Sequence, residues 1–173
     1  SDNNICFKML YTGTDALESE LRPMVKTVVN DSQTADYLTH LLAKPPVSEL
    51  RTYLNWNWIG LHYSEFPELR LAHAKEIAER CLSVCVFYMD DLERKGQYQL
   101  LDLGKAGYRI AAMHAISLDR EEGDIYAGLS ERFFPTVAEL SYSMMRKLGN
   151  LSPAERIIIL TPFGERLVLS RSQ

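Results

Sequence analysis

The sequence predicts a mainly α-helical protein: a single-domain helical bundle around a long central helix at about 67–95, followed by a C-terminal β-hairpin at about 156–170. Three observations support this prediction. Apolar residues recur in steps of three and four through the central segment, helix caps flank that segment, and two β-rich runs stand near the end of the chain. The length of 173 residues is typical of one domain, so we expect 1–173 to form a single globular unit.

The first part of the chain predicts a short extended run and a helix. Residues 5–10 are apolar and form a candidate third strand for the C-terminal hairpin. A helix is expected to begin near Thr14 or Asp15, which supply an N-cap, and to continue to Val29. Because Pro23 lacks a backbone donor, we expect a kink or a short break there.

Two further helices and an irregular connection are predicted before the central helix. The second helix follows a cap at 30–32 and ends at Pro45 and Pro46. A short third helix covers 48–54. Residues 55–64 then abandon the helical period for alternation, so we expect this segment to be irregular or extended.

The central helix carries the clearest pattern in the chain. Pro67 suits its first turn, and Gly96 after Lys95 suits its C-terminal cap. Its apolar stripe consists largely of small residues: Leu71, Ala74, Ala78, Cys81, Cys85, Tyr88 and Leu92. Small side chains allow another helix to approach closely, so we interpret the stripe as a core contact with two buried thiols. A homodimer that pairs through this stripe is the alternative.

The last part of the chain predicts three helices and the hairpin. The helices cover 105–116, 121–132 and 136–148. The last of them is expected to turn Val137, Leu140, Met144 and Leu148 toward the core. The hairpin pairs two β-rich runs at 156–160 and 166–170 around a five-residue loop that contains glycine.

Composition indicates a folded, weakly acidic protein. The net charge is −4 and the sequence pI is about 5.6, which gives no general electrostatic attraction to nucleic acid or anionic lipid. Three cysteines cannot all pair, no long apolar run predicts a membrane span, and the first residues do not resemble a signal peptide. We therefore expect a cytoplasmic protein that does not engage a membrane.

No pattern of catalytic or metal-ligating residues emerges. His62, His73, Glu76 and Glu79 are close in sequence, but carboxylate-bridged metal sites need a second Glu-x-x-His motif that is missing here. We interpret Glu76 and Glu79 as part of a solvated charged face. The sequence thus predicts no catalytic residue, no metal site and no cofactor.

The only concentration of aromatic residues lies between the third and the central helix: Trp56, Trp58, Tyr63 and Phe66. Such residues either plug a core, which is the commoner use, or form an exposed anchor for a partner. An exposed indole would make this segment the best binding surface in the chain. We therefore name these four residues as the candidate partner-binding site.

The leading functional hypothesis is a non-enzymatic adaptor, regulator or secretion-type chaperone that binds another protein. One alternative is a winged-helix DNA-binding regulator, with Arg146 and Lys147 at the end of its reading helix and 161–165 as its wing. The basic pair lies at the wrong end of that helix, which disfavours nucleic acid as a partner. The other alternative is an enzyme whose site forms only in three dimensions, around a deep pocket lined by His62, His73 or His114.

Overall fold

The computed structural model describes residues 13–44, 50–96 and 98–148, which form α-helices and the connections between them and contain no strand. The helices are α1 (Gly13–Val28), α2 (Ser32–Leu42), α3 (Leu50–Tyr63), α4 (Pro67–Lys95), α5 (Gln99–Ser117), α6 (Glu122–Glu131) and α7 (Phe133–Leu148). The prediction of a mainly helical bundle is confirmed. The predicted hairpin at 156–170 and the predicted strand at 5–10 lie outside the described residues.

The long helix α4 has the predicted bounds and the predicted central position. Pro67 is its first helical residue, and Gly96 ends it in the left-handed conformation with a φ of 64°. The backbone departs from helical geometry at Tyr88, where φ is −130° and ψ is 26°, so α4 is kinked in its last third. Helices α2, α3, α5 and α7 all pack against α4.

The small-residue stripe of α4 is a core contact, as predicted. Cys81 and Ala78 are completely buried and face two glycines of α5. A Cβ atom added at Gly107 would lie 3.0 Å from the backbone nitrogen of Ala78, and one added at Gly104 would lie 3.0 Å from the Cβ of Cys81. Helix α5 thus covers the stripe, which is therefore not available to pair with a second copy of the chain.

The first two helices form a hairpin that packs on α7 and α4. Pro23 lies inside α1, which continues through it, so the expected short break is wrong. The side chain of Pro23 faces solvent, where a lost backbone hydrogen bond is best tolerated because water is close by. The predicted cap of α2 is present: the Asp31 carboxylate accepts a hydrogen bond of 2.9 Å from the backbone N–H of Thr34. Residues 45–49 lie outside the described residues.

The prediction that 55–64 are irregular is wrong, because α3 is helical from Leu50 to Tyr63. Leu54, Asn57 and Leu61 are buried at helical spacing and face the bundle. The polar residue in this series concealed the helical period. The indoles and asparagines that alternate with each other instead imitated the period of a strand.

The last three helices lie where predicted, and two of them begin earlier than expected. Helix α5 starts at Gln99 rather than at 105, and α7 starts at Phe133 rather than at 136. Phe133 is buried against Gly104, which anchors the start of α7 on α5. Val137, Leu140 and Met144 are buried as predicted, whereas the side chain of Leu148 lies outside the described residues.

The contact between α4 and α5 makes a testable prediction about stability. Gly107→Ala should lower the free energy of unfolding by ~1–3 kcal/mol, because the new methyl group collides with the backbone of α4. Ala78→Leu, on the other side of the same contact, should act in the same direction. Gly128→Ala is the matched control: its new methyl group meets open space, so it should raise the free energy of unfolding by ~0.5–1 kcal/mol. Urea denaturation of the three variants measures these changes, and equal effects of the two glycine substitutions would contradict the contact.

The two cysteines of α4 make a second prediction. Cys81 and Cys85 are free and buried, and burial raises the pKa of both thiols, that of Cys85 to about 12. In a Cys6→Ser variant, neither thiol should react with a disulfide reagent at neutral pH until the protein is unfolded, since the reactive thiolate is neither formed nor accessible. Fast modification of the folded variant would place a thiol at the surface.

Candidate functional site

Helix α3 is held on α4 by a polar contact that fixes its rotation. The Asn57 side chain donates a hydrogen bond of 2.9 Å to the backbone oxygen of Tyr53 and accepts one of 2.9 Å from Nδ1 of His73. Gly60 lies directly on the His73 ring, where an added Cβ atom would be 2.4 Å from Nε2. The inner face of α3 is therefore fixed, and its outer face must point to solvent.

The outer face of α3 is apolar and aromatic. Trp56, Ile59 and Tyr63 follow one another in steps of three and four, and their exposed fractions are 71%, 54% and 82%. Phe66, directly before α4, and Leu69, in the first turn of α4, are also exposed, with exposed fractions of 62% and 49%. Trp58 lies at the edge of the same surface. We call these six residues the aromatic face.

A shallow groove borders the aromatic face. It has a volume of about 240 Å³ and lies between α3 and α5, lined by Leu54, Asn55, Trp58 and Leu103. The ring of Trp58 packs edge-on against His62, with 4.5 Å between the ring centroids. The groove is smaller than the ~300–1,000 Å³ of most small-molecule pockets, so it suits a single protruding side chain better than a ligand.

The charges around the aromatic face are few and separated. Helix α3 contains no acidic residue, and its only permanently charged residue is Arg51 in its first turn. Glu65 and Glu68 follow at the other end of the helix and outnumber Arg70, whose Nε donates a hydrogen bond of 2.7 Å to the backbone oxygen of Ser64 there. The side chains of Arg51, Glu65 and Glu68 are exposed. The surface is therefore basic at one end, apolar in the middle and acidic at the other end.

The structure places all four sequence-predicted partner-binding residues at the surface. Trp56, Trp58, Tyr63 and Phe66 are exposed, so the interpretation of these residues as a core plug is wrong. Their binding role stays a prediction. Sequence reasoning missed Ile59, because 55–64 was interpreted as irregular, and it missed Leu69, which lies in the predicted central helix but outside its apolar stripe. The helical spacing of Trp56, Ile59 and Tyr63 was the signal that would have revealed the continuous surface.

Beneath the surface, a buried acid corrects the expectation of a solvated charged face on α4. Glu79 is only 3% exposed and accepts a hydrogen bond of 2.7 Å from the hydroxyl of Tyr37 on α2. The hydroxyl of Tyr108 on α5 lies 3.0 Å from that of Tyr37 and acts as the donor, since the Tyr37 proton is already engaged. Burial raises the pKa of both phenols well above 10.0. This chain of hydrogen bonds joins three helices.

The other candidate metal ligands also have partners of their own. Glu76 accepts a hydrogen bond from the Tyr53 hydroxyl and lies 3.6 Å from Nε of Arg80. His73 is engaged by Asn57, and His62 lies against Trp58. Within the described residues, no three His, Cys, Asp or Glu side chains are grouped in a way that could hold a metal ion.

The enzyme and the DNA-binding regulator stay hypotheses, and the described residues give the following observations on them. Neither the groove beside Trp58 nor a second groove of about 330 Å³ between α1 and α7 is lined by a histidine. The guanidinium of Arg146 lies over the ring of Tyr142 at 5.9 Å, and the N-terminal part of α7 carries Glu139 and no basic residue. The side chain of Lys147 and the predicted wing at 161–165 lie outside the described residues.

Comparison with protein-family models, curated proteins and solved structures found no match to this chain. In the described part of the chain, no helix combines the length and the apolar character needed to span a membrane. The aromatic face is therefore the feature of this chain from which a function can be proposed.

The hydrogen bond to the buried Glu79 makes a prediction about stability. Tyr37→Phe should lower the free energy of unfolding by ~1–3 kcal/mol, because the Glu79 carboxylate loses a donor in a buried position. Tyr142→Phe, at an exposed position on α7, is the control and should change stability by less than ~0.5 kcal/mol. Equal effects would show that Glu79 does not need the Tyr37 hydroxyl.

The hydrogen bond between Tyr37 and Glu79 also predicts that the free energy of unfolding depends on pH in the alkaline range. Because the pKa of Tyr37 is raised in the folded protein, its contribution to stability is complete below the unfolded value of 10.0 and is lost as the pH rises toward the folded value. Denaturation curves between pH 8 and pH 11 should therefore show a decline above about pH 10 that is less steep in Tyr37→Phe.

Proposed function

We propose that this protein works by binding another protein chain through the aromatic face of α3 and the start of α4, without chemistry of its own. The observation that supports the proposal is the exposure of Trp56, Ile59 and Tyr63 on α3. The hydrogen bond between Asn57 and His73 of α4 fixes the rotation of this helix. Solvent-facing positions of a helix are ordinarily polar, so three large apolar side chains in one row there require an explanation.

The extent of the aromatic face fits a protein interface. Large aromatic side chains present about 150–250 Å² each, so the exposed parts of this surface together amount to on the order of 600 Å². That is at the upper end of the ~300–600 Å² found for the largest apolar patch on typical monomers. It also approaches the ~800 Å² that each partner contributes to a standard interface.

The composition of the surface also fits protein recognition. Tryptophan, tyrosine and arginine dominate the energetic centres of interfaces, and all three types occur here around Trp56, Tyr63 and Arg51. Among the described residues, the charged groups of this surface stand at its two ends, which resembles the polar rim around an apolar interface centre. Because five of the six side chains stand on helices and only Phe66 lies in the connection between them, binding would cost little backbone conformational entropy.

Photo-crosslinking tests this proposal directly. A benzophenone amino acid placed at Ile59 of the full chain should form covalent adducts with a protein in a lysate of its own cells or with the chain itself. The same group at Met113, which is exposed on α5 outside the aromatic face, should form none.

The specificity of those adducts is checked by a double substitution. Trp56→Ala with Tyr63→Ala should abolish the adducts at position 59 while the circular dichroism spectrum and the melting temperature stay the same, because both side chains are mostly exposed. Tyr142→Ala, which removes an equally exposed aromatic ring from α7, should leave the adducts intact. Equal labelling at positions 59 and 113 would contradict the proposal, as would unfolding of the double variant.

A further inference from the structure

We propose that the aromatic face binds a second copy of this chain, in a two-fold symmetric dimer in which the two α3 helices cross antiparallel near Ile59. The proposal rests on the proposed function, since it names the partner of the same surface. It differs from the dimer considered from the sequence, which used the stripe around Ala78 that α5 covers.

Charge complementarity favours this partner. In an antiparallel pair, the basic end of one α3 lies against the acidic end of the other, so Arg51 of each copy faces Glu65 and Glu68 of its partner. Within the described residues, none of these three side chains forms an ion pair inside the chain. A parallel pair would instead bring the two arginines together, which is repulsive.

The register of the pair follows from the positions of the charges. Arg51 lies eight residues before Ile59 near the start of α3, whereas Glu65 in the turn after α3 and Glu68 in the first turn of α4 lie at its other end, so a two-fold axis at Ile59 brings opposite charges together twice. The helix is about 21 Å long at 1.5 Å per residue, which suffices for both contacts. The same axis sets Trp56 opposite His62 and Tyr63 opposite Asn55, so no like charges meet.

No other exposed apolar surface of the described residues competes with this one. The remaining large exposed apolar side chains are Tyr98, Met113, Ile116, Phe134 and Tyr142, which are spread over α5, α7 and the turn before α5. Met113 and Ile116 are neighbours on α5, and the other three are single residues; small groups of exposed apolar residues are ordinary on monomers. On the aromatic face, by contrast, Trp56, Ile59 and Tyr63 stand in one row of α3, and Trp58, Phe66 and Leu69 are exposed close to them in the chain.

Sedimentation equilibrium of the full chain measures the dimer. We expect a reversible monomer–dimer equilibrium within the range of ~1–200 µM. Ile59→Asp places two carboxylates against each other on the axis and should weaken the dimer by about a hundredfold or more. Met113→Asp is the control and should leave the equilibrium unchanged. A chain that stays monomeric up to ~200 µM, or a dimer that survives Ile59→Asp, would overturn the proposal.

A charge exchange tests the antiparallel register independently of folding. Arg51→Glu alone, and Glu65→Lys with Glu68→Lys in another chain, should each weaken self-association by about tenfold, because each creates like-charge contacts at both ends of the pair. Mixing the two variants should restore association, since both ends of the mixed pair then unite opposite charges. Failure of the mixture to associate more strongly than either variant alone would contradict the register.

The two proposals fail in different ways. A monomeric chain whose position 59 crosslinks to a different protein overturns the dimer and leaves the proposed function in place. A monomeric chain that forms no adduct at position 59 overturns both. A monomer whose adducts at position 59 link it to its own residues 149–173 also overturns both, because the occupant is then a segment of the same chain.

Discussion

The close approach of α4 and α5 at Ala78 and Gly107 is the contact on which the rest of the structure depends. It brings two long helices together at backbone distance, which only small residues on both sides permit. Phe133 then fills the space beside Gly104 and sets the start of α7. Helices α2 and α3 also pack on α4, through contacts that include the polar side chains of His73, Glu76 and Glu79.

The polar side of α4 serves as a docking surface for helices rather than as a site for chemistry. His73 and Glu76 hold α3 through Asn57 and Tyr53, and Glu79 holds α2 through Tyr37. Buried polar groups of this kind cost free energy unless they are paired, so they stabilise one arrangement of the helices against others. Fixing the rotation of α3 in this way also determines that its aromatic residues point outward.

Most of the fold could be predicted from the sequence, because its long helices repeat strong local signals. The period of α4, its Pro67 start and its Gly96 end are all local. The predictions that failed concern contacts between residues far apart in the sequence. Tyr37 stands 42 residues before Glu79, so no residue near Glu79 in the sequence indicates that Glu79 is buried. Likewise, the sequence around Asn57 does not indicate its burial, which depends on the hydrogen bond from His73, 16 residues later. The cluster of aromatic residues in the sequence was enough to identify the candidate site. The arrangement of its side chains could be described only once α3 was known to be a helix.

Under the proposed function, α3 presents its indoles to solvent until another chain covers them. The protein offers a direct measurement, since its only two tryptophans both lie on this helix. Tryptophan fluorescence and acrylamide quenching should be followed in a dilution series of the full chain. At low concentration we expect red-shifted emission that acrylamide quenches readily, because the indoles are exposed. As the concentration rises, we expect a blue shift and weaker quenching. Blue-shifted, protected emission at every concentration would contradict this expectation.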